Sequence, residues 1–246
     1  MESLTITPQY GHNVRDLLTV SGEEVRGENI LERIIRRTRQ TVNLPFLHIS
    51  LVKNIPIGSG MGGGSGNGAA LLRWIGRFTG EKTPDPSEFG SDIPFLTDGD
   101  KWALVGGRGE KVSPLASSPS SPSVVVAVPD WHISTKKAFS LLSEERRRKF
   151  PLSSTRAEDE IQELIETFRA GRKAGLLPND FAPFLLEAHP EYNAFFEVFE
   201  RYGSSAWGIT GSGSACFALF FRNRPSCGLF RKMAGWKRVR KIFYLE

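Results

Sequence analysis

A chain of 246 residues with 39% apolar and 24% charged side chains has the composition of a globular protein with an ample core, in one large domain or two small ones. No apolar run approaches the roughly 18 residues of a membrane span, and the opening MESLTITP lacks the basic region and apolar core of a signal peptide. The net charge of +5 suits a protein that handles phosphates, while the arginines at 33, 36, 37 and 39 and the basic stretch 231–241 read as solvated faces rather than a nucleic-acid surface. Cys216 and Cys227 have no metal-ligand spacing and read as structural thiols of a cytoplasmic protein.

Leu4 to Thr7 and Leu17 to Val20 read as short strands joined by a polar turn through Gly11-His12-Asn13. Asn29 is a plausible N-cap for a helix whose apolar face is Ile30, Leu31, Ile34, Ile35 and Val42. Pro45 restarts the chain as a strand through Lys53, with Phe46, Leu47, Ile49, Leu51 and Val52 apolar. A glycine loop follows, then a helical pattern (Ala69, Ala70, Leu71, Leu72, Trp74, Ile75, Phe78) that stops at Thr79-Gly80. The turn EKTPDPSEFG leads to Asp92, and 102–107 reads as a strand. The Pro/Ser stretch 116–123 is the best domain boundary, dividing the chain into 1–116 and 124–246.

The second half opens with a buried strand, Val124 to Val128. Ser134 or Thr135 then caps a helix carrying Ala138, Phe139, Leu141 and Leu142. Helices follow at about 156–172, 180–188 and 190–202, the last two broken by His189-Pro190. Ala206 to Thr210 and Cys216 to Phe221 read as a hairpin around Gly211-Ser212-Gly213. A short helix (Cys227 to Ala234) and a strand (Val239 to Leu245) complete the pattern, which is α+β in two halves.

The chemistry concentrates in PIGSGMGGGSGNGAA, where seven glycines fall within eleven residues, Gly58 to Gly68. Strand, glycine loop and helix in that order can hold phosphate. Glycine lets the backbone approach a ligand closely, and the free N–H groups and dipole of a helix start favour an anion. A flexible linker is the bland alternative, and the tight apolar strand and helix on either side argue against it. No lysine follows the glycines, so this is not a P-loop. Gly58, Gly60 and Gly63 satisfy GxGxxG, but the acidic residues about 20 positions on, Glu81 and Asp85, lie in a turn, not at the end of a second strand. The HRD and DFG motifs of protein kinases are absent.

Pro56-Ile57-Gly58-Ser59-Gly60-Met61-Gly62-Gly63-Gly64-Ser65 instead resembles the ATP loop of the GHMP kinases. Gly90-Ser91-Asp92-Ile93-Pro94-Phe95 is similar to the GADVPFF segment of the branch that acts on 4-diphosphocytidyl-2-C-methyl-D-erythritol, in non-mevalonate isoprenoid synthesis. Thr210 to Phe217, TGSGSACF, resembles the family's third motif, and Asn179-Asp180 sits where this branch carries ND before a helix. The resemblance implies a two-domain α+β fold with the active site between the domains, an ATP-dependent transfer to a substrate hydroxyl, and Mg²⁺ as counter-charge. It assigns nucleotide binding to Pro56, Ile57, Gly58, Ser59, Gly60, Met61, Gly62, Gly63, Gly64, Ser65 and Gly66. Gly211 and Gly213 would shape the phosphate-proximal side, although they also suit a plain tight hairpin. Thr135 and Phe139 would lie near the cytidine, although a helical Phe is more often core. His132 reads as a surface loop residue, and Trp102 and Trp207 as core.

Asp92 is the expected catalytic base. Its alternative is an N-cap or turn aspartate, and the GSDIPF context favours catalysis. The branch's lysine strand and its GYHE segment do not occur here, so the expectation is either a start placed downstream of the true one or a degenerate homologue. Three functions stay open: the diphosphocytidyl methylerythritol kinase, another small-molecule kinase of the family, or a nucleotide-binding protein without catalysis. If the chain is active as it stands, another cation, Lys53 or Lys101, is expected to serve the transition state.

Overall fold

The computed structural model describes residues 2–25, 27–99, 102–115, 121–142, 154–221 and 226–246. Lys101 and most of the Pro/Ser stretch lie outside them. The chain forms two compact units, one of Met1–Ile57 with Gly62–Ala116, the other of Gly58–Met61 with Ser117–Glu246. The glycine loop is therefore divided: its first four residues pack with the second unit.

The first unit is built on a three-stranded sheet in the order β1 (Ser3–Gln9), β3 (Phe46–Lys53), β2 (Leu17–Gly22). β1 runs antiparallel to β3, pairing Ser3 with Val52, and β2 runs parallel to it, pairing Gly22 with Lys53. The two N-terminal strands thus flank β3 and do not pair with each other. β3 alternates, sending Leu47, Ile49 and Leu51 inward. Two helices, α1 (Ile30–Thr38) and α2 (Gly63–Thr79), bring Leu31, Ile34, Leu71, Leu72 and Ile75 to the same core. A capping box starts α1: Leu31 N donates to Asn29 Oδ1 at 3.1 Å and Asn29 N to Glu32 Oε2 at 3.0 Å. Gly80, in the left-handed conformation, ends α2 as the sequence indicated. A six-residue helix, α3 (Ile93–Asp98), and a two-stranded ribbon, β4 (Ala103–Gly106) with β5 (Lys111–Pro114), complete the unit.

The second unit carries a five-stranded sheet, ordered β10 (Val239–Leu245), β6 (Ser123–Pro129), β9 (Cys216–Phe220), β8 (Ala206–Ile209), β7 (Gly175–Leu176). β6 has the continuous apolar run of a buried strand, and Val125 and Ala127 are fully buried. The helices are α4 (Thr135–Leu141), α5 (Ser154–Arg169), α6 (Ala182–Ala188), α7 (Tyr192–Arg201) and α8 (Ser226–Ala234). Tyr192, Phe195 and Phe199 recur at helical spacing on α7 and enter the core with Ile209, Ala218 and Phe220. Among the described residues no helix is long and apolar enough to cross a membrane.

Candidate active site

In the first unit the site begins at the start of α2. Gly62 occupies the N-cap position with φ 64°, a left-handed conformation that disfavours any residue with a Cβ. No side chain caps this helix and its first turn holds no acidic residue. The first amides of α2 therefore remain available to an anion. Asp92 lies directly against this turn, since a methyl on Gly62 would contact its Oδ2 at 3.9 Å. Asp92 precedes α3 but has helical dihedrals, and its side chain makes no cap bond. Asp92 thus occupies the N-cap position, its carbonyl accepting from Leu96 N at 3.2 Å, but its side chain does not cap the helix. Its backbone is set from below: a Cβ on Gly109, in the β4–β5 turn, would collide with the Ser91 carbonyl. That role of Gly109 was not read from sequence, because a glycine in GGRGEK looks like any turn residue.

In the second unit Gly58 to Met61 lie against the β8–β9 hairpin. Ala215 N donates to the Ser59 carbonyl at 2.9 Å, and Thr210 Oγ1 donates to the same oxygen at 3.0 Å. Gly60 has φ 74°, and a Cβ there would overlap the Thr210 carbonyl oxygen. A Cβ on Gly58 would overlap the His132 imidazole, so this histidine, exposed as the sequence suggested, also packs on the loop. Ser59 is 3% exposed, which makes its carbonyl an anchor of the loop. Gly211 faces the Gly60 carbonyl, and Asn179 Nδ2 donates to the Ile209 and Gly211 carbonyls, both at 2.9 Å. These residues bring the third motif onto the first half of the loop.

Thr135 begins α4, and its Oγ1 lies 3.3 Å from Ser212 Oγ. Ser134 takes the N-cap position without a side-chain bond. Phe139 is 55% exposed and meets Phe181 edge-on, so it is not a core residue. Its exposed face is open to a planar ligand. Trp207 is buried, as the sequence suggested.

Tyr192 closes the hairpin from beneath: its Oη donates to the Ser214 carbonyl at 2.7 Å, close to Gly213. Burial pushes the Tyr192 phenol well above its ordinary value, and burial does the same to the Cys216 thiol. Because the folded values are raised, this stabilisation is complete below the unfolded values. It is lost as pH climbs through about 9–10 towards the folded ones. Tyr192→Phe should cost about 1–3 kcal/mol at neutral pH by orphaning the carbonyl. It should also melt with a shallower loss of stability above about pH 10. Parallel pH slopes in thermal melts of the two proteins would exclude that role.

A cavity of about 480 Å³ opens beside β2 and the start of α1, lined by Glu23, Glu24 and Glu32 among others. Three carboxylates make it a poor seat for phosphate, whereas the uncapped amides of α2 suit one.

Comparison with known proteins decides the family. Residues 29–89 match the description "GHMP kinases N terminal domain" and residues 155–226 match "GHMP kinases C terminal". A 4-diphosphocytidyl-2-C-methyl-D-erythritol kinase from Pseudothermotoga lettingae is 33% identical over 204 residues, covering 80% of this chain and 71% of that protein. The chain belongs to the GHMP kinase family. These are ATP-dependent small-molecule kinases, and the N-terminal match spans the strand, glycine loop and helix of this chain. The kinase of the same name from Thermotoga maritima is 37% identical, covering 78% of this chain and 70% of its own. The one from Solibacter usitatus, also 37% identical, is matched over only 56% of its length. Among solved structures, a 4-(cytidine 5'-diphospho)-2C-methyl-D-erythritol kinase aligns with TM-score 0.75 at 22% identity, covering 99% of this chain and 85% of that one. A homoserine kinase from Cytophaga hutchinsonii aligns with TM-score 0.68 at 16% identity, covering 100% and 85%. The GHMP kinase fold is thus shared across members with different acceptors.

Proposed function

We propose that this GHMP kinase transfers the γ-phosphoryl group of ATP to a hydroxyl of 4-diphosphocytidyl-2-C-methyl-D-erythritol, in the cytoplasm. The observation that carries the reading is the Asp92 carboxylate set against the uncapped, glycine-built start of α2. Phosphoryl transfer needs an anion cradle and a proton acceptor side by side. The amides of Gly62, Gly63, Gly64 and Ser65 would hold the β- and γ-phosphates, with Pro56, Ile57, Gly58, Ser59, Gly60 and Met61 shaping the approach and Gly66, whose N–H donates to the Gly62 carbonyl at 2.8 Å, closing the first helical turn behind them. Asp92 would take the proton of the acceptor hydroxyl as its oxygen attacks phosphorus. Gly211 and Gly213 would shape the phosphate-proximal side of the second unit. Thr135 and Phe139 would receive the cytidine, Phe139 by stacking; its exposure supports that role. Magnesium would arrive on the triphosphate as part of the substrate. Residues 1–116 would act as the ATP-binding domain and 124–246 as the C-terminal domain. The names of the curated relatives support this acceptor over others.

A second reading, nucleotide binding without turnover, is favoured by one observation. Lys53, the buried cation next to the loop, is committed to an ion pair with Glu2. The purified chain should be offered Mg-ATP with a panel of acceptors: diphosphocytidyl methylerythritol, homoserine and mevalonate. Rapid turnover of the first alone is the expected result. Turnover of another acceptor would replace the proposed substrate, and ATP binding with no turnover would favour the second reading.

A further inference from the structure

We propose that Lys53 is a positioning residue which cancels a carboxylate at the mouth of the phosphate-binding helix, so that the Lys53–Glu2 pair tunes nucleotide affinity without touching the nucleotide. The proposal rests on the reading that the start of α2 holds the phosphates. Pairing of Ser3 with Val52 brings the neighbouring Glu2 and Lys53 together. Lys53 Nζ lies 2.8 Å from Glu2 Oε1, and each side chain is 7% exposed. The same Oε1 accepts from Ile55 N at 3.2 Å, and a methyl on Gly63 would lie 3.4 Å from it. Gly63 is the first residue of α2. Glu2 therefore stands at the positive end of the helix dipole, in the field a phosphate would use. Asp92 already places one carboxylate beside Gly62. A second, uncompensated one would oppose an anionic ligand.

Lys53 removes that opposition and is held in place to do so. Its carbonyl accepts from Glu23 N at 2.9 Å, and Gly22 packs so closely on that carbonyl that no Cβ would fit. Buried, paired and fixed in the strand, Lys53 acts through Glu2 and not as a direct phosphate contact.

The test is a calorimetric titration of ATP, and of adenosine as an uncharged control, into the full chain and three variants: Lys53→Gln, Glu2→Gln and the double substitution. Each glutamine can keep a hydrogen bond while changing the local charge by one unit. Lys53→Gln should weaken ATP binding about three- to tenfold and Glu2→Gln should tighten it by a similar factor. The double variant should return to within about twofold of the unaltered chain. Adenosine affinity should not move. A merely structural pair predicts otherwise: both single variants would lose ATP and adenosine binding together, in step with their melting temperatures. That result would overturn the proposal, and so would unshifted ATP affinities in variants of a chain that binds ATP. If Lys53→Gln does not fold, Glu2→Gln still decides, because weaker or equal ATP binding there contradicts the proposed sign. Failure of the unaltered chain to bind ATP would remove the phosphate reading itself, a result distinct from the others.

Discussion

Replacing Asp92 by asparagine in the turning-over enzyme is expected to lower kcat about 10²- to 10⁴-fold. Asparagine keeps the size and much of the hydrogen bonding of the side chain but cannot take up the acceptor's proton. Asp92 is exposed and makes no cap bond, so the melting temperature should stay near that of the unaltered chain. ATP affinity should hold or rise slightly, since a negative charge leaves the neighbourhood of Gly62. A capping aspartate would behave in the opposite way, losing about 0.5–2 kcal/mol of stability and little rate. Near-normal kcat with a lowered melting temperature would therefore return Asp92 to a structural role.

Gly60→Ala is expected to weaken ATP binding ten- to a hundredfold, roughly 1.4–2.8 kcal/mol. Two effects act together. Alanine at φ 74° is strained by roughly 1–2 kcal/mol. Its Cβ would also overlap the Thr210 carbonyl oxygen, which cannot retreat freely because it accepts from Gly213 N at 2.8 Å. The loop must back away from the hairpin, which breaks the bonds that hold the Ser59 carbonyl. Gly76→Ala is the control, since a Cβ there makes only ordinary contact with Thr83, at 3.5 Å, and alanine suits a helix better than glycine. Equal ATP affinity for the two variants would mean that the hairpin clamp does not matter to nucleotide binding.

The strand–loop–helix unit was legible because its signals are local. β3 alternates, α2 has helical spacing, and Gly80 marks its end. Short elements without a period were not read: α3 is six residues with a proline in its first turn, and β7 is two residues long. Long-range partners leave no mark in a single sequence. Nothing near Ser59 announces that Thr210, 151 residues on, will hold its carbonyl, nor does Lys53 reveal Glu2, 51 residues earlier. Phe139 shows the limit of periodicity. It shares a helix with buried Ala138, yet α4 is only seven residues long and leaves the ring more than half exposed.

The distance from Ser59 to its anchors also bears on how the protein is made. Chains emerge from the ribosome N-terminus first, and domains tend to fold as they appear. The three-stranded sheet and the two long helices of the first unit are complete once Thr79 is out. Ser59 must wait for Thr210 and Ala215, and the sheet that carries them is not closed until Val239–Leu245 pairs with β6. A nascent chain halted anywhere in between would carry the whole glycine sequence with the Ser59 carbonyl not yet fully held. On the proposed reading, the first half of the nucleotide loop would therefore be held in place only late in synthesis, well after its own residues have emerged.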